Sequence, residues 1–408
     1  MRILIITNHF WPENFRINDL ALGLKERGHE VVIYTGIPDY PEGKFYPGYG
    51  LLKKRIDRYQ GIKVIHFPVI PRGRGGFWNL TLNYLSSAIM ASLCIPFYCF
   101  DNFDIIFVFE TSPITIGLPA VIARKLRSIP VVFWVLDLWP ESLTATGAIR
   151  ARCIVRLVEK LTSFIYSQCD KILIASPGFA RSIEAFGCHS GKIEYFPNWV
   201  EAAYETLAGT TPAGTLPLLP PGFKIMFAGN IGTAQSFETI LKAAETLSSY
   251  TDIHWIILGD GRRSDWVKEQ IAVRGLTRSV HVLGLYPPNT MPAFFAQADV
   301  MLVTLRRDPI FSLTVPGKIQ SYMACGRPII AALDGEGARL IEDAGAGLSR
   351  PAEDAAGLSE AVLAMYNMPK TEREEMGRRG RAYSQANFDR TILLDRLEKW
   401  MENLVISK

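Results

Sequence analysis

The sequence predicts an α/β protein built from two Rossmann-like domains that face each other across a cleft. Short apolar runs alternate with helical patterns along the chain, which is typical of parallel sheets joined by helices. A chain of 408 residues is also too long for one ordinary core. The segment 201–223 is rich in Pro, Gly, Ala and Thr and is predicted to be a linker. We therefore expect a first domain at 1–200, a second at 224–387, and a C-terminal helix at 388–408 that packs back on the first domain.

The strands follow from apolar runs of four to six residues. In the first half they are expected at Ile3–Thr7, Val31–Thr35, Ile105–Phe109, Val131–Val135 and Lys171–Ala175. In the second half they are expected at Lys224–Ala228, His254–Gly259, His281–Leu283, Val300–Thr304 and Pro328–Ala332. A helix is expected at Ile17–Arg27, closed by Gly28.

The composition excludes several classes of protein. The six cysteines form no CxxC pair and no His/Cys cluster, so we expect a reducing compartment and no metal site. The first 200 residues carry 22 Lys and Arg against 16 Asp and Glu, while the remainder carries 22 against 24. Because the basic residues do not interleave with aromatics, nucleic acid is not an expected partner. An anionic membrane surface explains the basic first half better. The opening MRILIITNHFWPE reads as a strand and not as a signal peptide.

An uncharged segment, 75–100, follows Arg72 and Arg74. It is just long enough to cross a bilayer, but strands of one sheet precede and follow it, so a span is rejected. One alternative is a buried helix of the first domain. The other is a helix pair that contacts the membrane surface through Arg72–Phe100, with its apolar side chains in the headgroup region. Those side chains are Phe77, Trp78, Leu80, Leu82, Tyr84 and Leu85.

The segment TVPGKIQSYMACGRPII, at 314–330, predicts a short helix that leads into a buried strand. Pro316 suits the first turn of a helix, because its missing N–H would have no partner there. The amides of Gly317 and Lys318 would then point out of the helix N-terminus beside the lysine ammonium. Such an arrangement attracts a diphosphate, and an ordinary buried helix is the alternative.

Glycine turns follow three strands of the second half. Gly229, Asn230 and Gly232 follow the first of them, where glycines let backbone amides approach a phosphate. Gly261 lies in a similar turn after the next strand, where a simple turn is the alternative. After the third, the segment 283–286 has a position from which backbone groups would reach a base.

Polar residues also follow strands of the first half. His9, Glu13 and Asn14 occupy the loop after the first strand, and we expect them to bind the acceptor. Asp137 and Glu141 follow another strand end and are candidates for binding an acceptor or sugar hydroxyl. Glu141 has a second interpretation as a helix cap, since it follows Pro140.

These motifs together resemble family 4 of the glycosyltransferases. The resemblance rests on residues 24–31, 137–141 and 322–328, and it covers essentially the whole chain. It implies the two-domain GT-B fold and a retaining, metal-independent glycosyl transfer. Residues 228–235 and 315–338 look more narrowly like a bacterial O-antigen and capsule subgroup. That subgroup includes transferases of N-acetyl-L-fucosamine from its UDP form.

The chain departs from the family pattern at its charged positions. Most members have Arg and Lys where this chain has Asn230 and Gln235, and a glutamate pair where it has Leu313 and Ser321. Lys318 is therefore expected to be the main positive charge that balances the diphosphate.

Two further residues are predicted to compensate for the missing charges. Arg306 is expected to help bind the diphosphate, and Glu336 to replace the glutamate that usually contacts the ribose.

The resemblance implies transfer of a sugar from a UDP-sugar to a polyprenyl-diphosphate-linked acceptor, with Lys318 and Asp137 as the catalytic residues. The enzyme would lie in the cytoplasm, peripherally bound to the inner face of the cell membrane. Two other classes stay open at this point, a nucleotide-sugar epimerase of the same fold and a non-catalytic nucleotide-sugar-binding partner.

Overall fold

The computed structural model describes residues 1–73, 76–98, 102–145, 151–187, 190–200, 204 and 216–407. The chain divides into two compact units. The first comprises Met1–Pro197 with Leu394–Lys408, and the second comprises Asn198–Leu393.

The first unit contains an eight-stranded sheet in the order β3-β4-β2-β1-β5-β6-β7-β8. Its strands are β1 Arg2–Thr7, β2 Glu30–Gly36, β3 Ile56–Tyr59, β4 Ile62–Phe67, β5 Ile105–Glu110, β6 Val131–Val135, β7 Lys171–Ile174 and β8 Ile193–Tyr195. All neighbours pair in parallel except β3 and β4. Its helices before the second unit are α1 Arg16–Glu26, α2 Phe77–Tyr98, α3 Gly117–Arg127, α4 Glu141–Ala145, α5 Arg152–Ser167 and α6 Phe179–Ala185.

The strand order of this sheet determines where its loops meet. Strand β1 lies between β2 and β5, so successive strands are added on one side of β1 and then on the other, and the strand order reverses there. Ligands of open α/β sheets bind at the carboxyl ends of the strands near such a point. The loops after β1, β5 and β6 are therefore the ones that can build a site in this unit.

The second unit contains a six-stranded parallel sheet in the order β11-β10-β9-β12-β13-β14. Its strands are β9 Phe223–Ala228, β10 Ile253–Leu258, β11 Val280–Gly284, β12 Val300–Thr304, β13 Ile329–Ala332 and β14 Gly347–Arg350. Its helices are α7 Phe237–Thr246, α8 Ser264–Val273, α9 Met291–Phe295, α10 Pro309–Ser312, α11 Gly317–Ala324, α12 Glu336–Asp343, α13 Ala355–Asn367 and α14 Lys370–Asn387. Alternate residues of β9, such as Phe227 and Met226, enter two different apolar clusters. Helices thus cover both faces of the sheet.

All ten strands expected from the sequence are present, each within about one residue of its predicted ends. Strands β3, β4, β8 and β14 were not predicted. Strands β3 and β14 carry half-exposed or exposed residues, and short edge strands of this kind lack the continuous apolar run that marks a buried strand.

The chain returns to the first unit later than the sequence predicted. Helix α15, Arg390–Ile406, joins the first unit from Leu394 onward. The boundary expected at 388 is too early, because Phe388 is buried in the core of the second unit and its carbonyl accepts a hydrogen bond from the Val200 N–H. Of the predicted linker, Tyr204 and residues 216–223 belong to the second unit, and the other residues of 201–223 lie outside the described residues.

Helix α15 is anchored to the first unit by apolar and ionic contacts. Leu397 and Met401 are fully buried. The His29 Nε2 lies within hydrogen-bond distance of the Glu398 carboxylate, at 2.8 Å, and Asp395 forms an ion pair of 2.8 Å with Arg27.

The uncharged segment forms one helix, α2, and not the expected pair. By length and composition α2 could cross a membrane. Apart from Asn79, its exposed side chains are nevertheless apolar, and they recur every three or four residues, which places them on one side of the helix. They are Trp78, Leu82, Leu85, Ile89, Leu93 and Phe97. We call these six residues the outer stripe.

The inner side of α2 is the more polar one. Asn83 and Ser87 are buried, and the Asn83 side-chain amide donates to the Ile70 carbonyl at 2.6 Å. The Tyr84 ring lies against Trp139, 6.4 Å between centroids. The expectation that Tyr84 faces the headgroups is therefore wrong. An amphipathic helix of a water-exposed protein usually buries most of its large apolar residues. In α2 the small Ala88 and Ala91 are buried, as is Ile95, but most of the large apolar residues are exposed.

Arg72 does not flank the outer stripe as expected. Its guanidinium donates to His9 Nε2 at 2.8 Å and lies over the rings of Tyr40 and Tyr84, at 5.4 and 5.6 Å. Arg72 therefore faces into the first unit, where the two tyrosine rings and the His9 imidazole stabilise the charge of its guanidinium. Arg74, Gly75, Phe100 and the side chain of Phe77 lie outside the described residues.

The packing of α15 predicts an unequal response to two substitutions in that helix. Leu397→Ala should lower the free energy of unfolding by about 2–5 kcal/mol, because it leaves a cavity among buried side chains. Glu402→Ala, at an exposed position of the same helix, should change it by less than about 0.5 kcal/mol. Urea denaturation measures both values. Equal effects of the two variants would contradict the docking of α15 on the first unit.

Candidate active site

A cavity of about 490 Å³ lies in the second unit, at the carboxyl ends of β9 and β10. Its lining comes from five segments of that unit. The lining residues are Tyr204, Ala228, Gly229, Asn230, Leu258, Gly259, Asp260, Leu285, Tyr286, Pro288, Met291, Phe295, Lys318, Ser321 and Tyr322. Among these described residues, Lys318 alone is positively charged.

Two glycine turns form one wall of the cavity. The Gly229 N–H donates to the Leu258 carbonyl at 2.9 Å, and the Gly259 N–H donates to the Gly284 carbonyl at 2.8 Å. A Cβ at Gly259 would lie only 1.9 Å from the Gly229 carbonyl oxygen, and Gly259 has a φ of +134°. Only glycine lets these two turns approach so closely.

Lys318 lies in the first turn of α11 and extends beneath the Gly229 turn. The helix begins at Gly317, one residue later than expected. Pro316 therefore occupies the N-cap position and not the first turn. The Lys318 Nζ is shielded from solvent and has no hydrogen-bond partner among the described residues. It lies 3.8 Å from the centroid of the Phe227 ring. Burial lowers the pKa of Lys318 to about 7, because removal from water disfavours the charged form.

Tyr322 fixes α11 against the end of β9. Its hydroxyl donates to the Ala228 carbonyl at 3.1 Å and accepts from the Ala228 N–H at 2.9 Å. Tyr322 appeared in the sequence only as part of a motif, without an assigned role. The pair of hydrogen bonds sets the height of Lys318 relative to the Gly229 turn, since both residues belong to the same helix.

The other predicted glycines shape the loops. The Gly232 N–H donates to the Gln235 side-chain oxygen at 3.1 Å. A Cβ at Gly261 would lie 2.4 Å from the Asn230 Oδ1, so Gly261 makes room for Asn230. Gly317 is exposed, with nothing within 4 Å of a Cβ placed there. Of the predicted donor-binding residues, Gly229, Asn230 and Lys318 line the cavity.

Arg306 and Glu336 are not among the residues that line this cavity. Arg306 lies 3.5 Å from Glu353 and lines a separate depression with Arg263. The Glu336 carboxylate pairs at 3.0 Å with Arg339, one turn along α12. The expected contacts of Arg306 with a diphosphate and of Glu336 with a ribose are therefore unsupported by this geometry, because both charges already have partners elsewhere.

Aromatic rings form another part of the cavity lining, away from the two glycine turns. Tyr204 stacks on Phe295 with 5.8 Å between centroids and 10° between planes. Tyr286 meets Phe294 edge to face at 4.7 Å. Leu285 and Tyr286 bring the 283–286 segment to the lining of the cavity, and its contact with a base stays a prediction.

In the first unit, His9 and Glu13 form a buried dyad. The His9 Nδ1 lies 2.6 Å from Glu13 Oε2, and Glu13 Oε1 accepts the N–H groups of Asp39 and Tyr40, each at 2.7 Å. Because Arg72 donates to the His9 Nε2, the ring proton is on Nδ1 and points at Glu13. Glu13 therefore holds two loops together, and its carboxylate is not presented to an acceptor as expected.

Asn14 and Glu141 have less constrained surroundings. Asn14 is exposed in the loop after β1, and Glu141 is half-buried as the first residue of α4. The second interpretation of Glu141, as a residue of a helix N-terminus, agrees with this position.

Asp137 follows β6 and lies beside a second carboxyl group that the sequence analysis missed. Glu110, at the end of β5, accepts the Asp137 N–H at 3.3 Å and is fully buried. Burial and the nearby Asp137 raise the pKa of Glu110 well above its usual range. Burial also raises the pKa of Asp137, against hydrogen bonds from Ser142, Ser112 and Trp139. A charged residue that closes an otherwise apolar strand, IIFVFE, was the signal available in the sequence.

No group of three or more His, Cys, Asp or Glu side chains that could hold a metal ion occurs among the described residues.

Two family models match this chain, one on each unit. The glycosyl transferase 4-like domain matches residues 14–199, and the glycosyl transferases group 1 model matches residues 222–368.

Curated relatives agree with the family models. A probable glycosyltransferase, WbjE, of Pseudomonas aeruginosa is 27% identical over 274 residues, which cover 64% of this chain and 66% of that protein. A putative colanic acid biosynthesis glycosyl transferase, WcaI, of Escherichia coli K12 is 23% identical over 340 residues, which cover 80% and 82% of the two chains.

Solved structures share the fold along nearly the whole chain. HepE of Anabaena, in complex with UDP and glucose, has a TM-score of 0.69 at 15% identity and covers 98% of this chain and 99% of its own. WaaG, a glycosyltransferase involved in lipopolysaccharide biosynthesis, has a TM-score of 0.68 at 12% identity and covers 98% and 99%. With two parallel-sheet α/β units and a family model on each, the chain belongs to the glycosyltransferases of the GT-B fold.

Proposed function

We propose that this protein is a retaining glycosyltransferase that moves a sugar from a UDP-sugar to a polyprenyl-diphosphate-linked sugar acceptor in bacterial surface polysaccharide synthesis. The candidate sugar is N-acetyl-L-fucosamine. One observation carries the proposal: the Lys318 Nζ is shielded from solvent beneath a glycine turn and has no hydrogen-bond partner within the described part of the chain. The UDP and UDP-glucose complexes of HepE, a protein of similar fold, support a nucleotide-sugar donor.

The cavity has two ends, one of which suits the diphosphate of a UDP-sugar and the other its uridine. The glycine turns leave room for diphosphate oxygens beside Lys318, and the aromatic end, with Tyr286 and Leu285, suits a base and ribose. The lysine stem is flexible, so rotation of its terminal bonds can bring Nζ from the Phe227 ring to a phosphate oxygen.

Lys318 would act on the leaving group. Breaking the bond between the sugar and the diphosphate leaves negative charge on the phosphate oxygen, and a positive charge in a dry site stabilises it. The departing oxygen can accept the proton of the acceptor hydroxyl. No metal ion and no strong general base is then required, and Asp137 would orient the acceptor hydroxyl.

Lys318→Ala tests this assignment. We expect kcat for sugar transfer to fall about 10²- to 10³-fold, as for loss of one group that stabilises the developing charge. Lys242→Ala removes an exposed lysine beside the separate Arg306 depression and serves as the matched control. The measurement is release of UDP from a UDP-sugar in the presence of a polyprenyl-diphosphate-sugar acceptor. A Lys318→Ala enzyme with the rate of the control would remove the basis of the proposal.

Analysis of the sugar products of the same reaction, together with binding of the UDP-sugar, separates the two other classes. An epimerase would convert the free UDP-sugar to its epimer without forming a glycosylated lipid. A non-catalytic partner would bind the UDP-sugar without turnover.

We also propose that the outer stripe of α2 binds the cytoplasmic surface of the cell membrane, where a polyprenyl-linked acceptor resides. Trp78 is 74% exposed, Leu93 62% and Phe97 75%, so exposed apolar side chains recur along nearly the whole helix. A contiguous exposed apolar surface of this kind marks an interaction site. An interfacial position keeps the polar inner side of α2 against the first unit, which a membrane span would not.

Replacing Trp78 and Leu93 together by serine should weaken binding to vesicles of phosphatidylethanolamine and phosphatidylglycerol about 30- to 1,000-fold. Each large apolar side chain buried in the interface contributes roughly 1–2 kcal/mol. Val273→Ser, at a 74% exposed position of the second unit, is the control for loss of a surface apolar group. Co-sedimentation measures the affinity, and equal binding of the double variant and the control would contradict the membrane assignment.

A further inference from the structure

We propose that Ser87 and Asn8 are positioning residues for Asp137, through one hydrogen-bonded chain that runs from the inner side of α2 to the Asp137 carboxylate. The inference rests on the proposed function, which assigns Asp137 to the acceptor hydroxyl. All members of the chain belong to the first unit.

The first link joins α2 to the loop after β1. The Ser87 hydroxyl donates to the Asn8 side-chain oxygen at 3.0 Å, and Ser87 is buried. Asn8 is the first residue after β1, next to the His9–Glu13 dyad. The orientation of the Asn8 amide is therefore determined by a helix that is 79 residues away in sequence.

The second link crosses to the loop after β5. The Asn8 side-chain nitrogen donates to the Ser112 carbonyl at 3.1 Å. Ser112 has a φ of +106°, a conformation that residues with a Cβ rarely adopt. Such a conformation persists only when its surroundings hold it, and the Asn8 amide is one of the groups that do so.

The third link reaches the loop after β6. The Trp139 indole N–H donates to the Ser112 hydroxyl at 3.1 Å. The Ser112 hydroxyl in turn hydrogen-bonds the Asp137 carboxylate, and Ser142 hydrogen-bonds the same carboxylate from α4. The chain thus joins the loops after three strands of the sheet, and its last member is the carboxylate assigned to the acceptor.

The chain also affects the protonation of Asp137. Hydrogen bonds to a carboxylate favour its charged form, whereas burial acts against that form and raises the pKa of Asp137. If Ser87 no longer holds Asn8, Ser112 loses its carbonyl partner and its hydroxyl turns away from Asp137. The pKa of Asp137 should then rise, so its charged form should appear only at higher pH.

The experiment compares Ser87→Ala, Asn8→Ala and the double variant in the full-length enzyme. Ser92→Ala is the matched control, because the Ser92 hydroxyl lies on the same helix and has no hydrogen-bond partner among the described residues. The readouts are kcat and KM for the polyprenyl-linked acceptor as a function of pH, the affinity for UDP, and vesicle binding.

We expect each single variant to lower kcat/KM for the acceptor about tenfold, and the acid limb of its pH profile to move to higher pH by about half a unit or more. The double variant should be no worse than either single one, because members of one hydrogen-bonded chain are not additive. UDP affinity should stay unchanged, since the cavity lies in the second unit. Vesicle binding should also stay unchanged, since the outer stripe is intact.

Two results would overturn the inference. One is an unchanged acid limb in Ser87→Ala and Asn8→Ala, and the other is strictly additive losses in the double variant. Asp137→Asn separates this failure from failure of the proposed function. If Asp137→Asn loses transfer while the two variants behave like Ser92→Ala, only the positioning chain is wrong. If Asp137→Asn is fully active, the assignment of Asp137 to the acceptor is wrong, and the chain has no catalytic role.

Discussion

The ammonium of Lys318 is the feature on which the second unit is organised. Moving a lysine ammonium out of water costs several kcal/mol unless an anion or hydrogen-bond acceptors replace the water. Here the face of the Phe227 ring lies next to the Lys318 Nζ and attracts its positive charge. A cation over an aromatic ring recovers only part of the cost of leaving water. A bound diphosphate would offset the rest of this cost, so the charged form of Lys318 would be more stable in the nucleotide complex than in the free protein.

Several neighbouring features are explained by this constraint. Tyr322 ties α11 to the end of β9 through two hydrogen bonds, which keeps Lys318 beneath the Gly229 turn. Gly259 allows that turn to lie against the next one. With Asn230 and Ser321 at the cavity in place of charged residues, the electrostatic attraction for a diphosphate is concentrated on one lysine.

The first unit depends on the two different sides of α2. Buried polar residues of this helix make specific hydrogen bonds to the loops that carry Asn8 and Asp39, while the outer stripe stays exposed. Exposing such a stripe to water is unfavourable, and a lipid surface would remove that cost. The same helix would then contact the membrane on one side and hold the acceptor loops on the other.

Local patterns in the sequence predicted what depends on local physics. The buried parallel strands are continuous apolar runs, and the glycine turns after β9 and β10 are glycines followed by helical patterns, so both were found. The partners of charged side chains could not be predicted in this way. Arg72 pairs with His9, which is 63 residues away, and Arg306 lies near Glu353. Glu110 was missed because its neighbour, Asp137, comes from another strand. Such pairs depend on tertiary packing, which periodicity does not encode.

The most direct test of the account is proton uptake on UDP binding, measured by titration calorimetry at pH 8 in buffers of different ionisation enthalpy. With a pKa of about 7 in the free protein, Lys318 is mostly neutral at pH 8, and a bound diphosphate should restore its charge by raising that pKa. The account predicts uptake close to one proton per UDP by the native protein, and none by Lys318→Ala. Equal proton uptake by the two proteins would contradict the claim that Lys318 binds the diphosphate.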